Sequence, residues 1–240
     1  MLTCVSLTGP DDKTDIAALA DLSAAFPFVE WALLYVPHNE GAPRNPTRAW
    51  REAFFDASLS TSSAVHLCGS LAFEELLSNK LPKDILCASR LQLNVNARRI
   101  EFTDKQVLDI YRRSLDLGPD IILQRHADTA ELIDKFVASL PVLDTHRVGV
   151  LLDQSKGTGR APDTWLQPPA LDGIQCGYAG GLGPENTAYV LRTLVAMNDP
   201  QEPYWIDMES GIRTDNQFDI AKARAVLEAA AASNTLLKEI

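Results

Sequence analysis

No apolar run in this chain approaches the roughly 18 residues that a membrane-spanning helix requires, so no membrane partner is expected. The opening Met1-Leu-Thr-Cys-Val-Ser6 lacks the basic start and long apolar core of a secretory leader, which predicts a cytoplasmic location. Positive charge is scarce as well: 22 Lys and Arg stand against 32 Asp and Glu, a net charge of −10. That balance argues against a nucleic-acid partner, although a small local basic pocket stays open. The four cysteines, Cys4, Cys68, Cys87 and Cys176, form no CxxC pair and have no histidine at zinc spacing. Reduced thiols and no metal are therefore expected. No G-x-G-x-x-G follows the first apolar run, so neither a dinucleotide nor any other cofactor is expected. Internal repeats, low-complexity stretches and linkers are also missing, which predicts a single domain over residues 1–240.

What the chain does have is alternation. Short apolar runs at Leu2–Leu7, Val29–Tyr35, Ala64–Cys68, Leu91–Val95, Ile121–Gln124, Val148–Leu152, Gly173–Tyr178 and Tyr204–Met208 are separated by amphipathic stretches. This is the pattern of repeated strand–helix units, and eight of them close an α/β fold of the (β/α)8 TIM-barrel type. Val29–Tyr35 fits least smoothly, because Glu30 and Trp31 interrupt it. Helix starts are marked at Asn45-Pro46, where a capping side chain precedes a proline, and by capping boxes at Thr103-x-x-Gln106 and Asp128-x-x-Glu131. Gly118 can end the helix that Thr103 begins, and Ile220–Leu237 is an alanine-rich helix. Two loops run longer than a barrel needs: Pro37–Thr47, and Ala161–Ala170 with Pro162, Pro168 and Pro169. Both are expected on the C-terminal face of the strands, where such loops build sites.

The chemistry concentrates in residues 148–212. Val148-Gly-Val-Leu-Leu-Asp153 runs into Gln-Ser-Lys-Gly157-Thr-Gly159, Gly173–Ala179 into Gly180-Gly181-Leu-Gly-Pro184-Glu-Asn186, and Tyr204-Trp-Ile-Asp-Met208 into Glu209-Ser210-Gly211. Apolar strands ending at a carboxylate or a glycine pair are how barrels of this kind hold ligands. Glycines allow backbone N–H groups to approach an anion, and Pro184 suits the first turn of the following helix. Gly180, Gly181, Ser210 and Gly211 are thus candidate phosphate-binding residues, and a phosphorylated small molecule is the expected partner.

These three segments resemble the phosphoribosylanthranilate isomerase family of the tryptophan pathway. Leu-Leu-Asp153 with Gly157-Thr-Gly159 is similar to that family's sixth-strand segment. Ala179–Asn186 is similar to its phosphate loop, and Ile206–Ile212 to its eighth-strand segment. The resemblance covers about the last 90 residues in sequence, and the rest only in topology. It implies an Amadori-type aldose–ketose isomerisation, with Asp153 as the general acid that opens the sugar ring and a cysteine thiolate as the base. It also implies that Arg44, in the second-strand loop, binds a substrate carboxylate; Arg48 competes for that role. Asp207 would sit inside the eighth strand and is a candidate substrate-binding residue, since a buried carboxylate needs a partner.

The base is where the pattern departs. The family's Lys-Ile-Cys-Gly-Ile-Thr run is replaced by Leu2-Thr-Cys4-Val5-Ser6-Leu7-Thr8. Aligned on Thr8, Val5 takes the base position, and alternation of strand faces would turn Cys4 out of the barrel. Cys4 remains the candidate base if a bulge restores it, and Cys68, at the end of the third strand, is an alternative thiol. Asn94 stands where the family shows His-Gly, and Arg125-His126 follow the fifth strand on the face expected for a site. The competing reading is a diverged phosphate-binding barrel that acts on another phosphosugar or is not catalytic.

Overall fold

A computed structural model describes residues 1–95, 102–154, 156, 158–169 and 173–237. Of the sequence motifs above, Gly157 and Ala170 lie outside the described residues. The eight expected strands are all present: β1 (Leu2–Thr8), β2 (Val29–Tyr35), β3 (Ser62–Leu67), β4 (Arg90–Leu93), β5 (Asp120–Arg125), β6 (Val148–Leu152), β7 (Gln175–Ala179) and β8 (Tyr204–Met208). Every neighbouring pair is parallel, and β1 closes on β8, so the protein is a (β/α)8 barrel. Helices α1 (Ile16–Ala25), α2 (Arg48–Asp56), α3 (Ser70–Leu77) and α4 (Asp104–Leu115) follow the first four strands. Two helices, α5 (Ala130–Ala138) and the one-turn α6 (Val142–Thr145), separate β5 from β6. Helix α7 (Thr187–Met197) follows β7 and α8 (Ile220–Leu237) follows β8. Among the described residues none of these helices is long and apolar enough to cross a membrane.

Local signals explain most boundaries, with three corrections. The Thr103 capping box forms as expected: the hydroxyl accepts from the Gln106 N–H, and the Gln106 side chain accepts from the Thr103 N–H. Helix α2 begins two residues later than Asn45-Pro46 implies, with Thr47 as its cap, while the Asn45 amide bonds the Pro43 carbonyl. Asp128 does not cap α5: the helix starts after Thr129, whose hydroxyl bonds the Gln124 carbonyl. Pro184 lies in the turn before α7 rather than in its first turn, because Asn186 occupies the position ahead of the helix.

Between β6 and β7 there is no helix among the described residues. The proline-rich segment takes its place. Trp165 packs edge-on against Tyr178 on the outer face of β7, with ring centroids 6.1 Å apart, and so covers apolar surface that a helix would otherwise bury.

Two layers of packing result. Val5, Leu7, Trp31, Leu33, Val65, Leu91, Leu123, Val150, Tyr178 and Ile206 face outward into the apolar shell under the helices. The barrel interior is different. Trp205 fills its lower half against Ile122, Leu151 and Ala179. The indole leaves no room on two neighbouring strands: a Cβ on Gly177 would lie 2.1 Å from the ring, and one on Gly149 2.8 Å away. The Arg90 guanidinium sits over the same ring at 4.8 Å and bonds both carboxylate oxygens of Glu30, at 2.6 and 2.8 Å. Glu30 thus interrupts the apolar run of β2 because it points inward to this pair. Burial pushes its carboxyl up, but the Arg90 charge and hydrogen bonds outweigh that and hold it below the ordinary range. The lower barrel is a closed, polar-centred floor.

Candidate active site

Above this floor, the strand ends and their loops enclose two connected spaces. The larger is a cavity of about 570 Å³ whose wall includes Thr8, His66, Gln92, Gln124, Asp153 and Asp207. The smaller is a recess of about 60 Å³ lined by the β7 and β8 loops, with Gly180, Gly181, Ser210 and Gly211 in its wall. Asp153, Asp207 and Glu209 line both spaces.

The recess exists because the loops after β6, β7 and β8 touch through glycines. A Cβ on Gly211 would lie 2.0 Å from the Leu182 carbonyl oxygen, and one on Gly181 2.3 Å from the Ala161 nitrogen. Gly180 and Gly181 also take the positive φ values of +121° and +61°, which L side chains resist. Asn186 fastens the turn: its amide donates to the Gly181 carbonyl at 2.7 Å, and its oxygen accepts from the Gly183 N–H at 3.0 Å.

The two inward carboxyls are held differently. Gln124 donates to Asp153 Oδ2 at 2.8 Å. Thr8 donates to Asp207 Oδ1 at 2.7 Å. Burial pushes the Asp207 carboxyl up to about 7; the Thr8 bond opposes the rise, and the charges of Glu209, Asp153 and Glu30 add to it. Asp207 therefore exchanges a proton near neutrality.

Cys4 is placed contrary to the expectation drawn from Thr8. Its side chain packs inside the barrel against Trp205, and Val5 is the residue that faces the helices. The pairing of β1 with β8 does shift register between Leu2 and Cys4. From Cys4 to Leu7 it is regular, as is the pairing of β1 with β2 from Val5 to Thr8, so Cys4, Ser6 and Thr8 share the inner face. The thiol lies on the floor, 3.9 Å from Arg90, and is not part of either cavity wall. Burial, reinforced by the Glu30 charge, pushes it well above its ordinary value. A thiolate base does not form easily there.

Cys68 does line the large cavity and accepts a bond from the Asn94 amide at 3.1 Å. Arg44 reaches the same wall with a backbone φ of +77° and is clamped by Glu209 at 2.7 Å and Asn216 at 3.0 Å. Arg48 instead pairs with Glu52 on its own helix. Arg125 turns outward to Asp134, and His126 is buried with its Nδ1 accepting from the Asp128 N–H. Neither Arg125 nor His126 lines the cavities. Sequence reasoning missed Thr8, His66, Gln92, Gln124 and Glu209. Their signal was present: each of the first four is a polar residue at an inward position in or just beyond an apolar strand. Among the described residues no group of His, Cys, Asp or Glu is placed to hold a metal ion.

A family model described as N-(5'phosphoribosyl)anthranilate (PRA) isomerase matches residues 98–229, more than half of the chain. The chain belongs to this family. The match leaves β1 to β4 outside it, which is where the base motif departs. No curated protein is matched by sequence. The phosphoribosylanthranilate isomerase of Pyrococcus furiosus superposes with a TM-score of 0.54 at 13% identity, over 96% of this chain and 99% of that one. That of Thermococcus kodakaraensis gives 0.53 at 12% identity, over 95% and 98%. A truncated 3-deoxy-D-arabino-heptulosonate 7-phosphate synthase from Thermotoga maritima gives 0.58 at 12% identity, over 98% and 88%. At these identities the likeness carries the fold alone.

Proposed function

We propose that the protein is an isomerase of N-substituted 5-phosphoribosylamines. The observation that carries this reading is that Asp153 and Asp207 line both the glycine-walled recess and the large cavity. A sugar with its phosphate in the recess and its amine substituent in the cavity would lie across these two carboxyls. The recess would grip the phosphate through close backbone and the Ser210 hydroxyl rather than through a cationic side chain.

Asp153, which occupies the family's acid position, donates a proton to the ring oxygen. The C1–O bond breaks as the nitrogen lone pair forms C=N. Asp207 then takes the C2 proton, and the released electron pair makes the C1=C2 enolamine while C=N becomes C–N. Loss of the O2 proton to Asp153 and return of the Asp207 proton to C1 give the 1-amino-1-deoxyketose. The group that titrates near 7 suits the step in which a proton is both taken and returned. Asp207 thus fills the role that Cys4, on the floor, is too deep to serve.

The test uses purified protein with phosphoribosylanthranilate, followed by loss of its fluorescence, and with the corresponding carboxamide, followed by product analysis. Turnover of either one, abolished in Asp153→Asn, is expected. No turnover of either by the folded protein overturns the reading. The depth of Cys4 also favours a second reading, a barrel that binds phosphosugars without this chemistry. Binding of ribulose 5-phosphate in the absence of any turnover would select it.

A further inference from the structure

We infer that Asp11, Arg213 and Asn216 form a positioning device that holds Arg44 ready at the cavity wall for the amine substituent of the substrate. The inference rests on the phosphosugar reading above and concerns the end of the substrate remote from the phosphate. Arg44 lies in the long loop after β2, where it lines the large cavity. Its φ of +77° is a conformation that an L side chain adopts only when its surroundings impose it.

Three separate parts of the chain impose it. From the loop after β1, Asp11 Oδ2 accepts the Arg44 main-chain N–H at 2.7 Å. From the loop after β8, Glu209 accepts from Arg44 Nη1 at 2.7 Å. Beyond Glu209 the chain makes an antiparallel hairpin of β9 (Arg213–Thr214) and β10 (Gln217–Phe218). Its turn residues Asp215 and Asn216 both have positive φ, at +49° and +59°, the geometry of a tight hairpin turn. That turn presents Asn216 Oδ1 to Arg44 Nε, which donates to it at 3.0 Å.

Arg213 ties the hairpin to Asp11. Its buried guanidinium donates from Nη2 to Asp11 Oδ2 at 3.1 Å and to the Asn216 carbonyl at 2.7 Å. Nη1 donates to the Gly9 carbonyl at 2.7 Å. Only a residue without a side chain admits this approach, since a Cβ on Gly9 would lie 2.9 Å from Arg213 Nη1. One oxygen, Asp11 Oδ2, thus receives both the Arg213 charge and the Arg44 main chain, so the loops after β1 and β2 and the hairpin lock together. Asp11, Arg213 and Asn216 line neither space, so they act through Arg44. Glu209 and Asn216 take one N–H of Arg44 each, and the planar fork keeps further donors for an acceptor on the ligand. A guanidinium held in place beforehand does not have to be ordered on binding.

The experiment measures two stable ligands by calorimetry on the intact chain. One is ribulose 5-phosphate; the other is a reduced 1-amino-1-deoxyribulose 5-phosphate analogue bearing a 2-carboxyphenyl group on nitrogen. The wild type is expected to bind the carboxyphenyl compound at least about tenfold more tightly than ribulose 5-phosphate. Asn216→Gly keeps the turn and removes only the bond to Arg44 Nε, so it should weaken the carboxyphenyl compound about threefold. Asp11→Ala releases the Arg44 main chain and should weaken it at least about tenfold. In both variants the Kd of ribulose 5-phosphate should stay within about twofold. In an Arg44→Met background neither change should move the carboxyphenyl Kd by more than about twofold. A merely structural role would weaken both ligands, or act equally with and without Arg44. That result, unchanged binding in both variants, or no wild-type preference for the carboxyphenyl compound overturns the inference and leaves the phosphosugar reading standing. If neither ligand binds the wild-type protein, the phosphosugar reading falls and takes this inference with it. Should Asp11→Ala not fold, Asn216→Gly, on an exposed turn, decides alone.

Discussion

Replacing Asp207 with asparagine should make the protein more stable above neutral pH, although it removes a group assigned to the reaction. The side chain is 8% exposed, and its carboxyl rises from 3.8 to about 7. Because the folded pKa is the higher one, the native state holds a proton that the unfolded chain releases between those values. Native stability is therefore undiminished below about pH 4, falls as pH rises through the window, and reaches its full loss above about 7. Three pH units at 1.36 kcal/mol each set an upper value of about 4 kcal/mol. Water in the cavity above the carboxyl reduces this, so about 1–3 kcal/mol is expected at pH 8. Asparagine keeps the shape and the oxygen that accepts from Thr8, but it cannot ionise. Urea unfolding of both proteins at pH 5.5 and 8.0 reads the difference as a shift in midpoint at constant slope. The variant should gain on the wild type as pH rises. Equal pH dependence in the two proteins, or a variant less stable at pH 8, refutes the buried-carboxyl reasoning.

Further expectations concern the floor and the recess. Gly177→Ala drives a Cβ to 2.1 Å from the Trp205 ring and should cost about 3 kcal/mol. Adding Trp205→Leu should return part of that, and a single variant as stable as wild type in urea would contradict the packing described. Glu30→Gln leaves the Arg90 cation buried without its partner and should destabilise by about 3–5 kcal/mol. In the Arg90→Met background the same change should cost much less, as a double-mutant cycle would show. Ribulose 5-phosphate bound beside Asp207 should raise that carboxyl further, so binding at pH 7.5 takes up protons. Calorimetry in buffers of different ionisation enthalpy would detect this uptake, and its persistence in Asp207→Asn would assign it elsewhere.

The outer face of the barrel could be read directly from the chain, because strand periodicity is a local property. Even Glu30 and Trp31 did not break β2; the two side chains point to opposite faces and each finds its own partner, Arg90 inside and Ser23 outside. The inward orientation of Cys4 departs from the expectation for an instructive reason. Alignment to the family's motif suggests one face, whereas the chain's own alternation of polar Cys4, Ser6 and Thr8 with apolar Val5 and Leu7 points to the other. That no helix follows β6 among the described residues fits Pro162, Pro168 and Pro169, which remove donors that a helix requires. The inner site was harder to see. Thr8 bonds Asp207 across 199 positions, and Gln124 bonds Asp153 across 29. Such pairs exist only once the barrel has closed, and no local pattern announces them.

Trp205 has one more consequence. With the lower barrel plugged by its ring, the upper space is a blind well, open toward the C-terminal ends of the strands. Two molecules cannot pass each other in it. On the proposed reading, a product formed at Asp153 and Asp207 would leave by the way its precursor came, and the next molecule would wait until it had gone. Spent and fresh ligand would then exclude one another, and product departure would join bond-breaking in setting the pace of the proposed reaction.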